Sequence, residues 1–410
     1  MVEAKPEQRK NSLWRLLGPG FVAAIAYVDP GNVAANLTAG AQFGYLLVWV
    51  LLVANAMAII VQYLSAKLGI VTGKSLPQLI SSRLSRRARL AYWMQAEAIA
   101  FATDIAEIIG GAIAFKLLFN MPLVFGGIVT GILSLLLLII RERRGQRAFE
   151  QTIMVFLFVL TVGFCAGLVL TPPNFAATMQ GLVPRFDGAS SVLVSVSMLG
   201  ATVMPHAVYL HSALTRDRFT ITTQSKKSLL RATRYDVFFA LIIAGSVNIA
   251  MLLLAAVNFQ GQADTDTIEG AYHSITSSLG ANIGWLFALG LLASGLASTS
   301  VGAYAGSEVM ASLLKVKVPL LLRRLLTLIP GLILLATPIS PTWLLVVSQI
   351  FLSFGIPFAL IPLVKLSSEK KILGDFVNST LLNYVAWVIV ILISLLNIVL
   401  IYLVFTGQGT

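Results

Sequence analysis

The sequence predicts an all-α integral membrane protein with eleven transmembrane helices. Three observations lead to this fold class: an apolar composition, long apolar runs separated by short charged clusters, and a one-sided distribution of basic residues. Of the 410 residues, 57% are hydrophobic and only 11% are charged, and the mean hydropathy is +0.87. These values lie well outside the range of soluble globular domains.

The apolar runs give the helices, because a helix needs about 20 apolar residues to cross a bilayer. Charged residues or turn-forming residues bound each run. The predicted spans are 16–40, 44–70, 88–119, 121–140, 150–170, 192–215, 236–258, 280–312, 319–338, 342–365 and 381–405.

The lysines and arginines define the orientation of these helices. With a cytoplasmic N-terminus, and with residues at span ends counted with the nearest loop, every basic residue except Lys116 and Arg185 belongs to the N-terminal tail or to a cytoplasmic loop. This bias follows the positive-inside rule. It predicts a multi-pass protein of the plasma membrane whose C-terminus, after an odd number of crossings, lies outside the cytoplasm. The net charge of +12 then reflects topology, and no nucleic-acid partner is expected.

One outer loop has the opposite charge. The loop 258–270 carries Asp264, Asp266 and Glu269. Acidic side chains at this position either attract cations toward an entrance or are simply solvated, and the sequence leaves both interpretations open.

The spans divide into two blocks that each begin with an interrupted span. An odd number of spans per block inverts the second block relative to the first, as in leucine-transporter-like proteins with inverted repeats. We therefore expect an inverted five-plus-five helix repeat with one extra helix. The predicted units are a cytoplasmic tail at 1–15, a first repeat at 16–170, an extracytoplasmic loop at 171–191, a second repeat at 192–365, and a cytoplasmic loop with the eleventh helix at 366–410.

Spans one and six are each interrupted near mid-membrane by a proline, Pro30 and Pro205. A proline inside a helix leaves the carbonyl four residues earlier without its partner, and these carbonyls belong to Ala26 and Ala201. Non-helical backbone at membrane depth is tolerated only where it is buried in protein or lines a polar cavity. Paired breaks of this kind indicate the substrate site of a transporter.

Side chains able to bind a cation lie beside both breaks. Asp29 offers an anionic oxygen, Asn32 a carbonyl oxygen, and Met204 a thioether sulfur. Sulfur favours softer metals than magnesium or calcium, so this mixed set indicates Mn²⁺ or Fe²⁺, with Cd²⁺ as a surrogate. Met204 could instead serve only in packing. Asn32 could instead serve only to cap the following helix. Asp29 has no such alternative, since a carboxylate at bilayer centre costs about 2.5–3.5 kcal/mol.

These residues give the chain a resemblance to the natural resistance-associated macrophage protein (Nramp) family of proton-coupled divalent-metal transporters, and within it to bacterial manganese importers. The resemblance rests on Asp29-Pro30-Gly31-Asn32 and Met204-Pro205-His206, and on the runs Gly18-Pro19-Gly20, Ala201 to Ser212, and Ser348-Gln349 through Gly355.

The resemblance implies a metal site and a way of working. Its ligands would be Asp29, Asn32 and Met204, with the carbonyls of Ala26 and Ala201 and the side chain of Gln349 joining in some conformations. Members that move magnesium or aluminium lack the methionine, which is present here. The metal ion and the proton would be transported ions rather than cofactors, and we expect a monomer in a bacterial membrane to suffice.

Span three carries an acidic stripe that predicts a proton route. Asp104 lies ~20° around the helix from Glu97, and Glu107 lies ~60° from Asp104. Ionisable residues inside a membrane face the protein interior, pair with one another or mark an ion path. A purely structural set of ion pairs is the alternative.

Histidines and arginines complete the predicted route. His206 adjoins the metal-site methionine and titrates near neutral pH. His211 lies ~140° further around the helix, and a hydrogen-bonded packing role is its alternative. Arg323 and Arg324 begin span nine, where positive charge anchors topology. The resemblance further implies that arginines here pair with span-three acids, and we assign the pairing to Asp104 and Arg324.

Three other functions are alternatives to proton-coupled metal transport. A sodium-coupled carrier of organic solutes shares the architecture, but the Asp29 carboxylate would repel an amino acid carboxylate. A membrane metal sensor would bind metal without moving it. An intramembrane enzyme is disfavoured, because the zinc-protease pattern His-Glu-x-x-His and the Gly-x-Ser-x-Gly turn are both absent.

Overall fold

The computed structural model describes residues 18–219, 224–261, 267–316 and 320–406. Throughout these ranges the regular secondary structure is helical. The predicted cytoplasmic tail at 1–15 lies outside the described residues. The protein is an all-helical, multi-span membrane protein.

The first half of the chain provides seven helices. They are α1 (Pro19–Ile25), α2 (Pro30–Phe43), α3 (Val48–Thr72), α4 (Leu76–Ser81), α5 (Arg86–Phe119), α6 (Leu123–Leu170) and α7 (Phe175–Gln180). A 3₁₀ turn, Ala26–Val28, lies between α1 and α2.

The second half provides ten more. They are α8 (Gly188–Thr202), α9 (Pro205–Phe219), α10 (Lys226–Asn258), α11 (Ile268–Leu279), α12 (Ala281–Leu313), α13 (Leu320–Leu335), α14 (Pro341–Ser353), α15 (Ile356–Ser367), α16 (Lys370–Leu373) and α17 (Thr380–Phe405).

The loop expected between spans four and five is instead largely helical. Residues 141–149 belong to α6, and only Gly145 departs from helical backbone, with φ 82° and ψ 172°. Glycine adopts this conformation without the steric cost that a Cβ would impose. A kink therefore joins the two spans. The cluster of arginines between them had suggested a loop.

Span ten and the outer loops also differ from expectation. Gly355 separates α14 from α15, so the predicted span 342–365 consists of two helices, with Pro357 in the first turn of the second. The expected loop 171–191 contains α7, and the acidic loop ends in α11. Asp264 and Asp266 lie outside the described residues, whereas Glu269 lies 3.8 Å from the Lys116 ammonium.

Close helix packing surrounds the broken segments. The long helix α12 packs against both α5 and α6, and α10 packs against α2 and α3. A Cβ on Gly163 of α6 would lie 2.8 Å from the Cα of Gly290 on α12, so glycines are required at this crossing. The resulting core buries α1, the 3₁₀ turn and α2 almost completely.

Candidate metal site and charged path

The backbone between α1 and α2 presents Asp29 at the start of a helix. Asp29 is extended (φ −75°, ψ 169°), and its carboxylate accepts a 2.7 Å hydrogen bond from the backbone N–H of Asn32. Pro30 occupies the first helical position, where its missing N–H is harmless. The positive end of the α2 dipole therefore faces the Asp29 carboxylate, which is 1% exposed.

The backbone between α8 and α9 is interrupted in a similar way. α8 ends at Thr202, Val203 is non-helical (φ −107°, ψ 73°), and Pro205 begins α9. Met204 follows the interruption directly and has no exposed surface.

Asn32 connects the two interrupted segments. Its amide nitrogen donates to the Asp29 carboxylate at 2.8 Å and to the carbonyl of Ala201 at 2.9 Å. Gln349 of α14 donates to the second Asp29 carboxylate oxygen at 3.4 Å. Four of the predicted metal-site residues thus lie together: Asp29, Asn32, Ala201 and Gln349.

Two acceptor atoms of this group lack a protein partner. The side-chain oxygens of Asn32 and Gln349 are buried without a hydrogen-bond donor in the described part of the chain. A buried acceptor without a donor costs free energy, and a bound cation would remove that cost. The arrangement therefore suits a dehydrated cation held by oxygens.

The remaining two predicted ligands are buried nearby. Met204 and Ala26 belong to one apolar cluster, together with Val28. That the Met204 sulfur and the Ala26 carbonyl bind the same ion as Asp29 stays a prediction. No group of three or more His, Cys, Asp or Glu suited to a metal occurs among the described residues, so a site here depends on mixed donors.

Two glycines to which the sequence analysis assigned no role make room for Gln349. A Cβ on Gly31 would lie 1.6 Å from the Gln349 amide nitrogen, and a Cβ on Gly200 would lie 2.2 Å from the Gln349 backbone oxygen. Gly31 follows Pro30 directly. This position beside the interruption of the helix was the only signal in the sequence that a small residue matters here.

The acidic stripe on α5 meets an arginine of α13. Glu97, Asp104 and Glu107 are all buried. The Arg323 guanidinium lies 3.3 Å from the Glu97 carboxylate and 3.7 Å from that of Asp104. Arg323 therefore joins the acidic stripe. The side chain of Arg324 is outside the described side chains, so the pairing assigned to Asp104 and Arg324 stays a prediction.

Glycines of α12 create space for this charged path. A Cβ on Gly306 would lie 1.8 Å from an Arg323 nitrogen, and a Cβ on Gly302 would lie 3.0 Å from the Glu107 carboxylate oxygens. The sequence analysis had no means of distinguishing these glycines from ordinary small residues in helix packing.

The two histidines contact different partners. The Nδ1 of His206 lies 3.4 Å from the Thr103 hydroxyl on α5, one residue from Asp104. The Nδ1 of His211 lies 2.8 Å from the Gln62 side-chain oxygen, and Gln62 donates to the Tyr27 hydroxyl at 2.5 Å. His211 is thus hydrogen-bonded and linked to the 3₁₀ turn beside Asp29.

The N-terminal end of α1 is held by charged groups that sequence reasoning missed. The Asp236 carboxylate accepts from the backbone N–H groups of Gly18 at 3.0 Å and Gly20 at 2.7 Å. Beside it, the Glu150 carboxylate lies 3.7 Å from the Arg218 guanidinium. Asp236 lies near the edge of an apolar span, and this was the only available signal.

Comparisons with known proteins identify the family. Residues 20–403 match the model of the "Natural resistance-associated macrophage protein-like" family. The chain is similar to the divalent metal cation transporter MntH of Mycobacterium tuberculosis, with 58% identity over 96% of this chain and 92% of the relative.

Solved structures show the same architecture. A manganese transporter of Eremococcus coleocola, crystallised with an aromatic bis-isothiourea compound, has a TM-score of 0.85 and 30% identity over 96% of this chain and 87% of its own. MhsT in complex with L-phenylalanine has a TM-score of 0.61 and covers 92% of this chain and 98% of its own; at 15% identity, this likeness shows the fold alone.

Proposed function

Because this chain belongs to the Nramp family, we propose that it imports divalent transition-metal ions into the cytoplasm, driven by protons. The resemblance seen in the sequence is confirmed, and the chain belongs to a family of transporters rather than of enzymes. One observation supports the proposal most: Asp29, Asn32, Ala201 and Gln349 converge where two helices are interrupted.

The donor set favours transition metals. An anionic carboxylate, amide oxygens and a backbone carbonyl would bind Mg²⁺ or Ca²⁺ as readily as Mn²⁺. The Met204 sulfur changes this preference, because a thioether binds late or soft metals better than hard ones. We therefore assign Mn²⁺ and Fe²⁺ as substrates and Cd²⁺ as a surrogate, with Met204 and the Ala26 carbonyl completing the ligand set.

Topology follows from the same architecture. Within the described residues, nine helical segments are long and apolar enough to cross a membrane, and two further apolar segments, Pro19–Val28 and Leu325–Leu335, are shorter. We propose that they form the inverted five-plus-five repeat with one extra helix, in a monomer of the bacterial plasma membrane. The N-terminus would be cytoplasmic, and the interruptions at Asp29 and Val203 would lie at mid-membrane.

Coupling to protons would use Asp29 and the charged path. A metal ion bound at Asp29 requires an ionised carboxylate, so proton and metal compete for one group. The proton released from Asp29 would pass His206 and Asp104 toward Arg323 and Glu97, while His211 and Glu107 border the route. Transport would proceed by alternating access as helices rock about the two interruptions.

Uptake into proteoliposomes tests this function. With an inward proton gradient, the wild-type chain should accumulate Mn²⁺ against its own gradient, and Cd²⁺ should compete while amino acids do not. Asp29→Asn should abolish accumulation, whereas the matched control Asp375→Asn, at an exposed position in the 3₁₀ turn Gly374–Phe376, should not change it. Metal binding without accumulation would indicate a sensor, and competition by amino acids would indicate an organic-solute carrier.

A further inference from the structure

A groove on the outer surface of the helix bundle lies between α3, α10 and α17. It encloses about 490 Å³ and is lined by side chains that include Ile59, Ile60, Tyr63, Arg234, Phe238 and Leu382. We call it the α3–α10 groove. Its lining residues lie in the middle of α3, in the first half of α10 and at the start of α17, next to the basic residues with which α10 begins.

The groove combines apolar walls with one cationic side chain. Ile59, Ile60 and Phe238 provide apolar walls, and the Arg234 guanidinium lies 5.5 Å from the centre of the Tyr63 ring. This geometry suits a cation–π contact that holds the charge at the groove. A largely apolar groove that is also lined by a cation matches an acyl chain attached to an anionic headgroup.

Further basic residues lie on α3 and α10. Lys227, Arg231 and Arg234 are exposed and recur at the spacing of one face of α10. Lys67, one turn beyond Tyr63 on α3, is 5% exposed, and its ammonium donates to the Asn378 side-chain oxygen at 2.8 Å.

Several other basic residues at this end of the bundle are already paired with carboxylates. Arg83, Arg216, Arg218 and Arg323 each lie within salt-bridge distance of a carboxylate. Within the ranges that the structure covers, no carboxylate makes a salt bridge with Lys67, Lys227, Arg231 or Arg234. The exposed charges of Lys227, Arg231 and Arg234 are therefore available to an external anion, whereas the buried Lys67 ammonium is already held by Asn378.

We propose that the α3–α10 groove is a binding site for an anionic phospholipid, with the phosphate at Arg234 and Arg231 and an acyl chain along Ile60 and Phe238. Basic pockets between transmembrane helices on the cytoplasmic side recognise anionic headgroups. A soluble anion would not use the apolar walls, and a zwitterionic lipid would not compensate the charge. The choice of the cytoplasmic leaflet rests on the topology proposed above.

Bound lipid would act where the inner end of α1 is held. Tyr235 of the groove precedes Asp236, whose carboxylate accepts from Gly18 and Gly20. A lipid that joins α3 to α10 would stabilise the helix that carries Asp236. The site is therefore expected to raise the thermal stability of the whole chain.

Native mass spectrometry and thermal unfolding of the purified full chain test the proposal with phosphatidylglycerol, phosphatidylcholine and glycerol phosphate as probes. Each basic residue near a membrane surface contributes about fivefold to binding of anionic lipid. Arg234→Gln should therefore lower retention of phosphatidylglycerol about fivefold, and the double variant with Arg231→Gln should lower it about 25-fold. The control Arg87→Gln, exposed at the start of α5, should retain wild-type binding.

A steric variant separates the groove from general surface charge. Ile60→Trp should lower phosphatidylglycerol retention and its stabilising effect while leaving every charge in place. Four results would overturn the proposal: equal losses in Arg87→Gln and Arg234→Gln, unchanged retention in Ile60→Trp, equal retention of phosphatidylcholine by the wild type, or equal stabilisation by glycerol phosphate. Because no transport is measured, failure here leaves the uptake test of metal transport unaffected.

Discussion

Replacing Gly306 with alanine should uncouple metal uptake from the proton gradient without touching the metal site. The new Cβ would lie 1.8 Å from an Arg323 nitrogen, and ordinary contact begins at 3.4 Å, so the guanidinium must move by about 1.6 Å. In the unsubstituted chain the Arg323 guanidinium lies 3.3 Å from the Glu97 carboxylate and 3.7 Å from that of Asp104, and such a shift breaks at least one of these contacts. A hydrogen bond to a charged group contributes about 1.5–3 kcal/mol, which corresponds to roughly ten- to hundredfold.

The assay compares binding with driven uptake. In Gly306→Ala, equilibrium Mn²⁺ binding should stay within about twofold of wild type, while proton-driven Mn²⁺ accumulation in proteoliposomes should fall at least about tenfold. Gly331→Ala, on the same helix as Arg323, is the matched control, since its Cβ would meet only Ile108 at 3.3 Å or more. Wild-type proton dependence in a folded Gly306→Ala protein would refute the role of Arg323 in the charged path.

Three further predictions follow from single contacts. Gly31→Ala should displace the Gln349 side chain from Asp29, because the new Cβ would lie 1.6 Å from the Gln349 amide nitrogen. Mn²⁺ affinity measured by calorimetry should therefore fall roughly tenfold. Unchanged affinity would show that Gln349 does not belong to the site. Asp236→Ala should release the end of α1 and increase labelling of a cysteine placed in the inner half of α1, whereas unchanged labelling would contradict the cap. Two hydrogen bonds from Arg83 lower the pKa of the Glu369 carboxyl. Glu369→Gln should therefore lower the free energy of unfolding by up to about 1 kcal/mol at pH 7. In thermal unfolding, that loss should vanish as the pH falls through the lowered pKa of Glu369, below the usual range of a glutamate carboxyl; a loss independent of pH would exclude the ion pair.

The sequence could indicate a candidate metal site because its signals are local. A proline at mid-span frees a particular carbonyl, and a carboxylate in an apolar run needs a functional reason, so Asp29 and Ala201 could be named without coordinates. Helical periodicity likewise placed Glu97 and Asp104 on one face. The structure then brought Asp29, Asn32 and Ala201 together through one amide group.

Contacts between distant segments were beyond the same reasoning. Arg323 and Arg324 are neighbours of equal chemistry, and only the rotation of α13 against α5 brings Arg323 to Asp104. The capping of Gly18 by Asp236 joins residues 218 positions apart, so no local pattern indicates it. Residues 141–149 were predicted as a loop because the arginines there follow the positive-inside rule. In the structure these residues are helical, and a kink at Gly145 is sufficient to connect the two spans.

X-ray absorption at the cadmium edge measures directly whether carboxylate, carbonyl and thioether groups surround one ion at the two interruptions. Cd²⁺ bound to the wild-type chain should show one sulfur neighbour among oxygen neighbours, and Met204→Leu should lose the sulfur while keeping the oxygens. A wild-type shell of oxygen and nitrogen alone would contradict the proposed site.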